Sequence, residues 1–302
     1  MNTKKAIRSI RENWQLYILG LPAIIYVFFM NYIPMAGVQI AFKNFKTSKG
    51  IWGSPWIGFD NFVRFVTYPN FWKIVRNTLS ITLYSLATFP IAIIVALQIN
   101  ELRSQGYKKA VQMISYAPHF ISTVVICAMV RLFFDRGNGI VNHLIEALGG
   151  ERISFLSEPR YFASIYVWSG VWQSVGWSTI IYLSALAGIP TDLYEAADID
   201  GANRLQVIWN INIPSIMPTI LTLFILSCGS LMSLGFEKVY LLQTPLNLDA
   251  SQVISTYVYE IGLLKGKYNY STAISLFNNV INILIMLLVN VLSRKVTNVS
   301  VI

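Results

Sequence analysis

Charged residues are confined to short segments of this chain, and six long intervals hold none. No Asp, Glu, Lys or Arg occurs in residues 13–42, 77–100, 110–130, 161–191, 205–236 or 268–293, runs of 30, 24, 21, 31, 32 and 26 residues. A bilayer core about 30 Å thick is crossed by about 20 apolar residues rising about 1.5 Å each. Each run is therefore long enough for one crossing and too short for two. The pattern predicts an all-α, polytopic membrane protein with six transmembrane helices, at about 15–37, 77–99, 110–132, 161–187, 214–236 and 272–293. These form a single membrane domain over 15–296, between a basic tail, 1–14, and a short tail, 297–302.

Composition agrees with the pattern. Of 302 residues, 55% are hydrophobic and 12% are charged; a soluble domain carries about 25% charged residues. So few charges cannot cover a water-soluble globule, and so much hydrophobicity excludes intrinsic disorder. Two cysteines are too few for a disulfide scaffold in a chain of this length, and Cys127 and Cys228, inside predicted spans, say nothing about redox compartment. The first run follows Lys4, Lys5, Arg8 and Arg11 but is about twice the length of a signal-peptide core and shows no small-residue cleavage site. It is expected to be a retained span.

Those four cations, against the single acid Glu12, place the N-terminus on the cytoplasmic side. Six spans then return Arg294 and Lys295 to the same side. The formal charge of +9 is scattered over every loop rather than gathered in a stripe. It suits loops beside anionic lipid headgroups, not nucleic acid. Trp14, Tyr17, Trp52, Trp56, Trp72 and Trp168 fit the aromatic belts of the two interfaces. Asp60 is expected to cap a short interfacial helix over 61–66.

Catalytic chemistry is missing from the sequence. His119 and His143 have no metal-ligand spacing, and no CxxC, GxSxG or GxxxxGK[ST] pattern occurs. Neither a metal nor a cofactor is implied. The predicted spans hold no ionisable relay apart from His119. A secondary carrier or a membrane-embedded enzyme is thereby disfavoured, and a transporter of this kind must draw its energy from another chain.

The segment 188–213, between the fourth and fifth spans, carries the strongest signal. Gly188-Ile189-Pro190 ends a span, and Asp192 with Glu195 is expected to form a capping box. Gly201 then turns the chain, and a second short helix over about 203–210 leads to Pro214. Ala196, Ala197, Gly201 and Ala202 leave room for a partner's close approach, while Glu195, Asp198, Asp200 and Arg204 offer it charge.

This segment resembles the EAA loop of ATP-binding-cassette importer permeases: Glu195-Ala196-Ala197, three residues, Gly201, nine residues, then Ile211 and Pro214. Every spacing matches, with Ile213 standing where leucine is usual. The blocks Asn31-Tyr32-Ile33-Pro34-Met35-Ala36-Gly37-Val38 and Gly53-Ser54-Pro55-Trp56-Ile57-Gly58-Phe59-Asp60-Asn61-Phe62 are similar to the polysaccharide and complex-glycan permeases of the maltose-type carbohydrate uptake family. The resemblance implies a bacterial cell-membrane subunit without enzymatic activity. It also implies three kinds of partner: a second, different permease chain, two ATPase subunits and an extracytoplasmic sugar-binding protein. On the same resemblance Glu195, Ala196, Ala197, Asp200, Gly201, Arg204, Ile211 and Pro214 couple the ATPases to the spans.

A sugar pathway needs hydrogen bonds and apolar faces. The expected pathway residues are Tyr116, His119 and Ser122 in the third span and Trp172, Gln173, Ser174 and Trp177 in the fourth. Ser227 and Ser230 in the fifth span and Asn278 and Asn279 in the sixth complete the set.

Overall fold

The computed structural model describes residues 13–297. The terminal tails up to residue 12 and from residue 298 lie outside the described residues. The described chain is helical apart from loops and an isolated antiparallel bridge between Lys43 and Trp56. Two compact units are formed, one by the chain up to Thr67 with Ile261–Leu276, the other by Tyr68–Glu260 with the chain from Phe277 onward.

The first unit begins with helix α1, Trp14–Phe42. Its most apolar window buries none of its residues within this chain, so that surface is presented to lipid or to another protein. Phe28–Tyr32 is a wide π turn closed by the Ile33 N–H on the Phe28 carbonyl. Pro34 follows immediately, and the wide turn accommodates its missing N–H. Beyond α1, Asn44 donates to Pro55 and Ile57 to Phe42, both at 2.9 Å, closing a loop that turns at Gly50 with φ +63°. Helix α2, Asp60–Val66, follows. The expected cap at Asp60 is not formed: Asp60 is the first helical residue and Phe59 precedes it without a side-chain bond. Instead Asn61, buried, donates to the Ala41 carbonyl at 2.7 Å and ties α2 back to the end of α1.

The second unit contains helices α3, Phe71–Asn100, α4, Gln105–Phe120, and α5, Thr123–Phe133. Then come α6, Ile140–Ala147, α7, Pro159–Ala187, and α8, Thr191–Ile199. Helices α9, Arg204–Cys228, α10, Phe236–Leu242, and α11, Ile254–Tyr259, follow. Helix α12, Tyr268–Thr297, begins in the first unit and ends in the second. One core gathers Ile81, Ile126, Val130, Phe162, Ile165 and Val239; another gathers Ala96, Leu97, Tyr182, Leu186, Ile189 and Ile216.

Two expectations about spans need correction, and a third, the count of six, is not confirmed. The third span is two helices, α4 and α5, meeting at 97°. Pro118 removes a backbone donor, the chain tightens into a 3₁₀ turn at Ala117–Phe120, and Ser122 caps α5 by accepting from the Val125 N–H. The fifth span starts ten residues earlier than expected and ends at Cys228, because Arg204–Cys228 runs through Pro214 unbroken. The count of six is not established by length and composition: four helices pass, or five if α4 and α5 make one broken span. Helix α7 has 29 residues, enough for a crossing, but Ser169, Gln173, Ser174, Ser178 and Thr179 keep it from being apolar enough.

Candidate functional site

Helix α8 starts after Pro190, whose extended backbone (ψ 134°) directs the chain into the first turn without a side-chain cap. The capping box expected from Asp192 and Glu195 does not form, and both residues are exposed. The far end of α8 is closed by the Schellman pattern. The Ala202 N–H reaches back to the Ala197 carbonyl at 2.9 Å, and the Gly201 N–H reaches Asp198 at 3.1 Å. That geometry puts Gly201 at φ +70°, where a side chain is strained. The capping box appears one turn later: Asn203 Oδ1 accepts from the Gln206 N–H at 3.0 Å, and Gln206 Oε1 accepts from the Asn203 N–H at 2.7 Å.

The second arm of this elbow is therefore the beginning of α9 itself, not a separate short helix. Ile208–Asn212 forms a π turn just ahead of Pro214. The turn carries Asn212 inward, where it is fully buried and accepts a 2.7 Å hydrogen bond from the Tyr194 hydroxyl of α8. Burial first, and then the nearby Glu101 carboxylate, push the Tyr194 phenol above its ordinary value. It therefore stays protonated as a donor at neutral pH.

The elbow's outer surface is rich in exposed apolar side chains. Ile199, Leu205 and Trp209 are 86%, 68% and 67% exposed. Glu195, Ala196, Asp200, Gly201, Arg204 and Pro214 are exposed as well, while Ala197 is buried and Ile211 half-buried. Glu195, Asp200 and Arg204 make no ion pair among the described residues. A shallow groove of about 260 Å³ lies between α8 and α9, lined by Leu193, Ala196, Asp200, Val207 and Ile211 among others. All eight expected coupling residues thus lie on one elbow. Tyr194, Asn203, Gln206 and Asn212, which hold its shape, were not anticipated; the Asn-x-x-Gln spacing was a readable signal for the second cap.

The expected pathway residues are not all brought together. A cavity of about 760 Å³ between α3, α7 and α9 is lined by Ser174, Trp177, Ser227 and Ser230, with Thr88 and Phe89 opposite. Each of these serines donates its proton to a backbone carbonyl three or four residues earlier: Ser174 to Gly170, Ser227 to Leu223 and Ser230 to Ser227. Their oxygens are left to accept from a guest hydroxyl.

His119 stacks on Trp177 with ring centroids 4.5 Å apart and an interplanar angle of 4°. Gln173 is turned away and donates to the Ile121 carbonyl at 2.9 Å, satisfying the group that the α4–α5 break leaves open. Ser122 is the α5 cap, and Tyr116 lies half-buried before the bend. Trp172 lines a separate apolar cleft of about 470 Å³ with Phe134 and Trp168. Asn278 and Asn279 line neither cavity. One turn beyond them, Asn282 accepts from the Met232 N–H at 2.8 Å and donates to Ser233 at 2.7 Å, binding α12 to the chain after α9.

A helical chain with several candidate membrane spans and an elbow bonded to one of them fits a membrane transport subunit. Residues 65–298 match the family of binding-protein-dependent transport system inner membrane components, and the chain belongs to that family. It is a multi-pass membrane protein. It is similar to Protein LplB of Bacillus subtilis, 42% identical over 94% of this chain and 90% of LplB. The polygalacturonan/rhamnogalacturonan transport system permease protein YteP of the same organism is 39% identical over 97% of this chain and 91% of its own. Among solved structures, a bacterial ABC transporter involved in the import of the acidic polysaccharide alginate superposes with a TM-score of 0.89 at 40% identity. That match covers 97% of this chain and 99% of the other.

Proposed function

We propose that this chain is one of two membrane subunits of an ATP-driven importer for oligosaccharides, and that the elbow at α8 receives the ATPases. Its partners are a second permease chain, two ATPase subunits and an extracytoplasmic sugar-binding protein. The names of its relatives support the cargo, and the related alginate transporter has been solved with a sugar-loaded periplasmic protein. The observation that carries the reading is the elbow itself: Gly201 turned by a Schellman closure, Asn203 capped, Tyr194 bonded to α9, and an apolar, charged surface left uncovered. A lever must be stiff to transmit a push, and this one is bonded at both ends.

Both termini lie on the cytoplasmic side, together with the elbow. Helix α7 is a crossing despite its polar residues, because they are used on the cavity, on its own backbone and on the α4–α5 bend. Sugars pass beside Trp177, Ser174, Ser227 and Ser230, and His119 stiffens the Trp177 ring by stacking. Gly201→Asp tests the elbow. It forces a side chain into φ +70° and adds a charge to the docking surface. Sugar uptake should be abolished while membrane insertion is unchanged. Normal uptake with coupled ATP hydrolysis in that variant removes the elbow from the mechanism.

A further inference from the structure

A further cavity, of about 660 Å³, opens where α3 and α7 begin, away from the elbow and from the serine-lined cavity. Trp72, Lys73, Arg76, Asn77, Arg160 and Asp249 are among its lining residues. Three cations share it with one carboxylate. Lys73 is paired with Asp249, and Arg160 Nε lies 2.7 Å from Glu158 and stacks on Tyr161. Arg76 is exposed and makes no hydrogen bond or ion pair among the described residues. Asn77 donates to the Asp249 and Gln252 carbonyls at 2.9 and 3.1 Å, which fixes the wall holding Asp249.

The placement runs against local preference. Lys73 stands in the first turn of α3, Arg76 in its second and Arg160 in the first turn of α7, and neither first turn contains an acid. Helix N-termini carry partial positive charge and disfavour cations. Asp249 offsets Lys73 and Glu158 offsets Arg160, so the unpaired Arg76 leaves about one net positive charge beside two helix starts in one concave space, where a bound anion is the natural complement. Of the three, Arg76 alone has no carboxylate partner among the described residues, and a charge left without compensation marks a functional position. Beside them Trp72 is 76% exposed, a flat apolar face of the kind on which a sugar ring stacks.

We propose that this cavity receives a uronate residue of an anionic oligosaccharide on the outer side of the membrane. Arg76 pairs with the sugar carboxylate, Arg160 supplies a second cation, and Trp72 stacks on the ring. The guanidinium fork suits a carboxylate in bidentate fashion, and the exposed Arg160–Glu158 pair is weak enough to share its cation. This inference rests on the importer reading and on its placement of the start of α3 outside.

The test is equilibrium binding of radiolabelled trigalacturonate and of maltotriose to the complete purified transporter without its binding protein. Wild type should bind trigalacturonate in a salt-sensitive way, and Arg76→Gln should weaken it about tenfold, as expected for a lost charged hydrogen bond. Maltotriose binding should not change, and Arg136→Gln, an exposed charge outside the cavity, should match wild type. Unchanged trigalacturonate binding in Arg76→Gln overturns the inference. So does inorganic phosphate binding as tightly as trigalacturonate, which marks a generic anion or headgroup site. Loss of binding-protein docking with sugar binding intact overturns it too. In a parallel uptake assay, ATP-driven entry of maltotriose with no trigalacturonate binding leaves the importer standing and removes only the uronate site. No ATP-driven uptake of any oligosaccharide removes the importer reading itself.

Discussion

Gly176→Ala is expected to destabilise the membrane domain by about 3 kcal/mol or more, the upper end of what overpacking costs. A methyl group at Gly176 would lie 2.0 Å from the Ser115 carbonyl oxygen and 2.4 Å from its carbon, so α7 and α4 touch backbone to backbone. Lipid-embedded helices associate through such close packing, because lipid tails are as apolar as leucine. Neither backbone can yield as a flexible side chain would. The crossing also sits one turn before the Pro118 break, and separating the helices pulls Gln173 from Ile121 and His119 from Trp177. Thermal unfolding in detergent measures the effect. Gly106→Ala is the control: it meets nothing within 4 Å and should be neutral or slightly stabilising. Equal midpoints for the two variants would refute the close-contact account.

Tyr194→Phe should cut sugar uptake about tenfold, since it removes the one side-chain hydrogen bond between α8 and α9 among the described residues and leaves a buried acceptor unpaired at about 1–3 kcal/mol. Asn212 already has a buried Nδ2 without a partner among the described residues, so losing the Tyr194 bond leaves both ends of its amide unpaired. The ATPases should still co-purify, because Glu195, Ile199 and Trp209 remain exposed on the outer face. Lost stability and lost transmission are separated by the double variant Tyr194→Phe with Asn212→Leu. Replacing both polar partners relieves the unpaired group and should restore the melting temperature, while sugar moved per ATP stays low. Recovery of that ratio along with stability would show that the bond only holds the fold together.

Much of the architecture could be read from charge spacing, because insertion of charge into hydrocarbon is costly whatever the tertiary fold. The run at 77–100 located α3, yet the helix begins at Phe71: Lys73 and Arg76 are helical residues, which a charge-free window cannot register. The run at 110–130 concealed the break at Pro118 and Ser122, since hydropathy ignores backbone donors. The run at 161–191 matched α7 closely, but its serines and Gln173 answer to a cavity and a neighbouring bend rather than to lipid. Gln173 drew attention as a polar residue at membrane depth. Its partner, the Ile121 carbonyl, is 52 residues away, and no local pattern points to it.

The elbow divides along the same line. Its existence, its turn at Gly201 and the family it belongs to were encoded in short-range spacing, because a left-handed residue at a helix end and a small-residue face are local requirements. The capping box moved from Asp192 to Asn203 because Pro190 had already set the entry into α8. The Tyr194–Asn212 bond and the close approach of Gly176 to Ser115 needed the folded chain. So did the gathering of Arg76 and Arg160 into one cavity from the ends of α3 and α7. Local sterics and the cost of burying charge act over a few residues and leave their mark in the order of amino acids. Contacts between distant helices depend on how whole segments pack, and only the assembled backbone specifies them.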